Sequence, residues 1–223
     1  MQAVPEPLSF DSGIHQAETI YNETEKRMLA AGLVDIQSLD SSIQVELKYS
    51  TTDNFTGMDV YGELTHCFFQ KDVADKIIKA QQLLKSKYPF YTLIIYDGTR
   101  PLHIQQMMWD SLPLSPGIKQ KYLTNPETVS LHNYGAAVDL SIMDDKGFVL
   151  DMGTPYDYFG EKAHPEKEQE MLKSGELLPR HIYNRELLRD VMYRSGFTGI
   201  KTEWWHFNSC SRAEASGKYQ VIE

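Results

Sequence analysis

Residues 130–141 read SLHNYGAAVDLS, and the way this stretch folds decides what the rest of the chain must do. From Ala136 onward the residues Ala-Ala-Val-Asp-Leu read as a strand, which sets Asp139 inside an apolar run. A carboxylate without a partner in a dry interior must be neutralised, hydrogen-bonded or bound to a cation. On a strand, Asp139 faces away from Val138 and Leu140 and shares a face with Ala137 and Ser141. His132 cannot reach it along the same straight strand, because seven residues span roughly 23 Å at about 3.3 Å each. Gly135 must therefore let the chain turn. If residues 132–135 fold back over the strand, His132 and Asp139 meet at one ion, and Ala136 and Ala137 leave room for it. By spacing alone the pair says little, since His-x6-Asp is common by chance.

Composition sets the frame for this reading. A chain of 223 residues supports one sizeable core and is read as one domain. Hydrophobic residues make up 41% and charged residues 24%, and no apolar run approaches the length of a transmembrane segment. The formal net charge of −9 disfavours nucleic acids and anionic membranes as partners, leaving small molecules or peptides. Cys67 and Cys210 have no metal-type spacing; two small buried residues is the preferred account and one disulfide the other. MQAVPEPLSF has neither a basic start nor an apolar run. The expectation is a cytoplasmic protein if the chain is complete, or a periplasmic or exported one with its signal removed, which the polar, Pro-containing start favours.

Local patterns predict the elements. Residues 17–31 look helical and stop at Gly32. Ile43, Val45 and Leu47 alternate with polar residues as on a half-buried strand. Val73, Ala74, Ile77, Ile78 and Leu84 keep to one face of a helix from Asp72 to Lys87. YTLIIY (Tyr91–Tyr96) reads as a central strand, and after DGTRP a helix should run from Leu102 to Leu112. Residues 136–143 and 148–152 read as a hairpin around the turn DDKG, residues 185–195 as a helix, and EWWHFN (Glu203–Asn208) as a closing aromatic strand. The mixture predicts an α+β domain with a central, mainly antiparallel sheet flanked by helices. Residues 1–40 are read as an N-terminal extension carrying a helix and packed on the domain, and 41–223 as the catalytic domain.

Glu203 and His206 add to the opening pair. A second His supplies a third ligand, and a nearby Glu can act as general base on a water. Three residues apart on an ideal strand they point to opposite faces, so a bulge or strong twist is required. Taken alone, a surface Glu and a core His between packing tryptophans account for them better. Arg100, taken alone, reads as an ion pair with a neighbour such as Asp97; at the end of a buried strand it can instead stabilise an oxyanion. Together, two His and a carboxylate with an additional Glu are the components of a hydrolytic zinc site with an open position.

Ser130-x-His132-x2-Gly135-x-Ala137-x-Asp139, with Glu203-Trp204-Trp205-His206 downstream and Gly98-Thr99-Arg100-Pro101 upstream, resembles the D-alanyl-D-alanine dipeptidases of the vancomycin-resistance type. The likeness extends to LKYSTTDNFTG (Leu47–Gly57), MGTPYDYF (Met152–Phe159) and NRELLRDVMYRSGF (Asn184–Phe197), in order from about Leu47 to Asn208. It implies the α+β fold shared by zinc D,D-peptidases and the Hedgehog signalling domain. It also implies one zinc (Zn2+) per chain on His132, Asp139 and His206, with Glu203 as base and proton shuttle and Arg100 as carbonyl and transition-state partner. The substrate-binding positions fall on Tyr49, Ser130 and Asp157. Hydroxyls suit the carboxylate of a small D,D-dipeptide, and Asp157 suits its free ammonium. HNYG departs from the more polar loop of the family, which leaves the substrate range open, and the first 40 or so residues have no matched counterpart.

The implied activity is hydrolysis of D-alanyl-D-alanine to two D-alanines, in cell-wall peptide metabolism or glycopeptide resistance. Two alternatives are a D,D-carboxypeptidase acting on longer stem peptides and a non-catalytic zinc-binding module of the same fold. Histidines 15, 66, 103, 164 and 181 match no motif and read as surface or core residues. Oligomeric state is not legible.

Overall fold

The computed structural model of the chain describes residues 19–120 and 123–223. Its five-stranded sheet is ordered β2 (Gln44–Val45), β4 (Thr92–Asp97), β5 (Ala137–Met143), β7 (His206–Asn208), β6 (Thr198–Gly199). Only β2–β4 is parallel; the other pairings are antiparallel, as an α+β domain requires. β1 (Leu33–Asp35) and β3 (Phe68–Gln70) form a separate antiparallel pair. Every residue of β4 is buried, which explains why YTLIIY lacks the alternation of a half-exposed strand.

The Lys71–Lys87 helix packs on β4 and on the Pro179–Arg194 helix. Its inward face carries Val73, Ala74, Ile77, Ala80 and Leu84, matching the predicted stripe. Gln81 is the polar exception on that face. Its amide donates to Thr92 Oγ1 (2.6 Å) and accepts from the Leu93 N–H (2.9 Å), so the buried group is satisfied and β4 is tied to the helix.

The predicted first helix is shorter than its pattern: Glu23–Ala30, closed at its start by a capping box between Asn22 and Glu25. Residues 17 and 18 of that expectation, and His15, lie outside the described residues. Met28 belongs to the main core. The helix beginning at Leu102 ends at Ser111, and the helix predicted from Arg185 starts six residues earlier, at Pro179.

Two expectations are corrected. Phe148–Met152 is not a strand: it meets β5 through a single bridge, Met143 to Val149, because the turn's Asp144 carboxylate takes the Lys146 and Phe148 N–H groups. EWWHFN is a strand only from His206; Glu203 to Trp205 form the loop that enters it. Trp205 fills the core at 1% exposure, and Trp204 donates its indole N–H to Thr154 Oγ1 at 2.8 Å. Packing of two large rings draws the backbone off the sheet line before β7 begins.

Candidate metal centre and substrate cleft

Three elements bring the site together. The end of β4 carries a register shift between Ile95 and Asp97, so that Asp97 stands opposite Asp139 on β5. On its other side β5 pairs Asp139 with His206 of β7. His132 arrives on a short 3-10 turn, Leu131–Tyr134, that ends at Gly135 in the left-handed region (φ +66°). A Cβ there would come within 2.8 Å of Thr99 Oγ1 and 2.9 Å of Leu33 Cδ2, so glycine is required both for the turn and for the close approach. The predicted fold-back at Gly135 is present. Neither Ala136 nor Ala137 lines the cleft; Ala136 packs beside Tyr134 and Ala215. Their small size serves close packing.

The turn is stitched down by the backbone. The Arg100 N–H donates to the His132 carbonyl (3.0 Å), and Asn133 Nδ2 donates to the Arg100 carbonyl (2.8 Å). The Gln70 N–H and side chain reach the Gly135 and Tyr134 carbonyls. The 99–101 loop and the His132 turn are therefore tied directly to each other.

The three candidate ligand atoms form a tight triangle. His206 Nδ1 is 2.9 Å from Asp139 Oδ1, His132 Nε2 is 3.2 Å from His206 Nδ1, and His132 Nε2 is 3.5 Å from Asp139 Oδ1. Ligands about 2.0–2.1 Å from a tetrahedral zinc lie about 3.3 Å apart, so this donor set fits such an ion. Each far nitrogen has its own acceptor. His132 Nδ1 lies 2.8 Å from the Gly98 carbonyl and His206 Nε2 lies 2.8 Å from Asn208 Oδ1. Those N–H donations leave both inner lone pairs free for a cation. Tyr156 donates its phenol to Asp139 Oδ2 at 2.9 Å and fixes the carboxylate.

The electrostatics agree. Burial would raise the Asp139 carboxyl, yet the two imidazoles outweigh it and hold it far below the ordinary range. Burial works against a charged His206, but Asp139, with Glu203 beside it, pushes its pKa up to about 9. The triangle calls for positive charge. Glu203 Oε2 stands 3.9 Å from His206 Nδ1, placed there by the loop, so no strand bulge is needed. Burial raises its carboxyl above the ordinary value, with the Asp139 charge adding to it and His206 working against it.

Arg100 is buried against the cleft. It donates to Gln105 Oε1 (2.8 Å) and to Asp97, its guanidinium lies 5.0 Å from the Tyr49 ring centroid, and its Nε has no partner. The ion pair with Asp97 and the position on the cleft are thus both realised. Asp97 also accepts from Tyr61 and from the Gly98 N–H.

Tyr49 and Asp157 come together across 108 residues: the Tyr49 hydroxyl lies 3.0 Å from Asp157 Oδ2 and 3.2 Å from Oδ1. Tyr49 thus stands beside Asp157 in the cleft. Asp157 holds a left-handed backbone (φ +57°), which aspartate tolerates better than most residues. Burial above all, and the nearby Asp139 charge, raise its carboxyl well above the ordinary range. Ser130 Oγ caps the His132 turn at 3.3 Å and lines the cleft. All eight residues singled out from the sequence line one cleft of about 280 Å³. Sequence reading missed Tyr156 and Asn208 as ligand supports, and took Asp97 only as a generic ion-pair partner. The first two stand within the quoted stretches MGTPYDYF and EWWHFN, where proximity to the motif is the available signal.

Among the described residues, the other histidines behave as surface or core groups. His66 meets the Glu25 carboxylate, His103 is exposed, and His181 sits between the Leu178 N–H and Asp151. Cys67 and Cys210 are free thiols.

A carboxylate and two imidazoles converging on one point, with a glutamate beside them, are suited to metal-assisted hydrolysis, the chemistry of a metallopeptidase. Comparison with known proteins narrows the class. The family model described as D-ala-D-ala dipeptidase matches residues 29–221, and the chain belongs to that family, which is zinc-dependent. It is 33% identical over 175 residues to the D-alanyl-D-alanine dipeptidase of Escherichia coli K12, covering 78% of this chain and 83% of that one. The Enterococcus faecium and Enterococcus faecalis proteins of the same name are 27% and 29% identical over 191 residues, in each case covering 79% of this chain and 90% of the other. The family match takes in residues 29–40, where Leu33–Asp35 pairs with β3.

Proposed function

We propose that this chain hydrolyses D-alanyl-D-alanine to two D-alanines, using one zinc held by His132, Asp139 and His206. The observation that carries the reading is the ligand triangle with Glu203 at its edge, in a cleft that Asp157 also lines. Zinc bound there supplies a Lewis acid that polarises a carbonyl and acidifies water. Glu203 takes a proton from the attacking water and delivers it to the leaving amine as the C–N bond breaks. Arg100, charged and fixed by Asp97 and Gln105, faces the carbonyl oxygen as negative charge develops on it. Asp157, backed by the Tyr49 hydroxyl, takes the substrate's free ammonium, the counter-charge its buried carboxyl lacks.

The setting we infer is cell-wall peptide metabolism or glycopeptide resistance. Acylating the substrate amine removes its positive charge and adds bulk at the Asp157 end. N-acetyl-D-Ala-D-Ala and longer stem peptides should therefore be cleaved at least about a hundredfold less well, roughly 2.7 kcal/mol of discrimination. Asp157→Asn should narrow that gap by harming the free dipeptide most. Equal kcat/KM for free and acylated substrates would reject the dipeptidase reading in favour of a D,D-carboxypeptidase.

A further inference from the structure

The cleft is lined by three carboxylates, Asp139, Asp157 and Glu203, and by two arginines, Arg100 and Arg212. A free dipeptide brings its own carboxylate into these acidic surroundings, and the chain as a whole is negative. Arg100 is already neutralised by the fully buried Asp97. Arg212 is exposed and has no ion pair or hydrogen bond among the described residues.

Nothing in its own helix explains Arg212. It opens the Arg212–Lys218 helix, where the helix dipole disfavours a cation. Glu214, two residues on, is occupied by Ser211, whose N–H and Oγ reach its Oε2 at 2.8 and 2.6 Å. The side chain is left for the cleft.

Hydrogen bonds link the cleft residues in series. Asp157 meets Tyr49, Tyr49 meets Tyr156 (3.4 Å), Tyr156 meets Asp139, Asp139 meets His206, and His206 meets Asn208. Asn208, Leu131 and Arg212 line both the cleft and the hollow that continues beside it. Asp157, the ligand triangle and the free guanidinium of Arg212 therefore all border one cleft. The Tyr49 hydroxyl is already engaged by Asp157.

We propose that Arg212 anchors the free carboxylate of the substrate, so that the cleft selects a dipeptide by both charged ends. This rests on the dipeptide reading above and adds a determinant to it. A guanidinium fork suits a carboxylate better than a point charge does.

The test compares D-Ala-D-Ala with its C-terminal amide on the zinc-loaded protein, by initial rates and by calorimetric binding, in wild type, Arg212→Gln and Arg212→Lys. Arg212→Gln should raise KM and Kd for the free acid about tenfold, leave kcat within about twofold, and leave the amide unchanged. Arg212→Lys should recover part of the loss, and the melting temperature of both variants should match wild type. An equal effect on acid and amide, or no effect on either, overturns the role of Arg212 while leaving hydrolysis intact. Acid-selective binding that Arg212→Gln abolishes, in a protein that cleaves neither compound, would instead uphold Arg212 and reject the hydrolytic reading.

Discussion

Asp139 and His206 are direct partners across the β5–β7 pairing, with Oδ1 and Nδ1 2.9 Å apart. Two candidate ligands thus come from the register of a sheet, and only His132 comes from a turn. The sheet thus frames most of the site by itself, and a cation held there offsets the buried Asp139 carboxylate. Purified protein should carry about one zinc per chain, and chelation should abolish activity and lower the melting temperature. Elemental analysis and melting with and without chelator check this; full activity in a metal-free preparation would refute it.

Glu203 sits in the loop ahead of β7, outside the triangle. Glu203→Ala should retain zinc and fold while kcat falls on the order of 10²–10⁴-fold. His206→Ala should lose zinc. Near wild-type kcat in Glu203→Ala would remove the proton-transfer role.

Tyr156 and Asn208 hold ligands without being ligands. Tyr156→Phe frees Asp139 Oδ2, and Asn208→Leu takes the acceptor from His206 Nε2. Each should weaken zinc affinity by about 10–100-fold, read by competition with a chelating dye. Unchanged affinity in both would mean that the sheet alone orients the ligands.

Glu25 is fully buried and accepts from the Asn22, Thr65 and His66 N–H groups and from the His66 ring. Burial by itself would raise its carboxyl, but these hydrogen bonds prevail and hold it below its ordinary 4.5. A depressed folded-state pKa contributes stability above the unfolded value that is lost as pH falls through the folded one. Glu25→Gln should cost about 1–3 kcal/mol at pH 7 and flatten the fall in stability below about pH 4.5, measured by urea unfolding across pH. An unchanged acid limb would show that Glu25 does not govern it.

The sequence by itself determined the strand YTLIIY, the Lys71–Lys87 helix, the turn at Gly135 and the identity of the groups that could bind a metal. Apolar periodicity, a glycine's backbone freedom and side-chain chemistry are local properties that a linear reading can detect. The tertiary structure alone decided which nitrogen each histidine turns inward, because Gly98 and Asn208 accept from the others. It decided that Glu203 sits in a loop, since the strand begins only at His206, after Trp204 and Trp205. It brought Tyr49 to Asp157 across 108 residues and set Asp97 opposite Asp139 through a shift in register. Such pairings depend on strand register and on hydrogen bonds between distant segments, and these have no period along the chain.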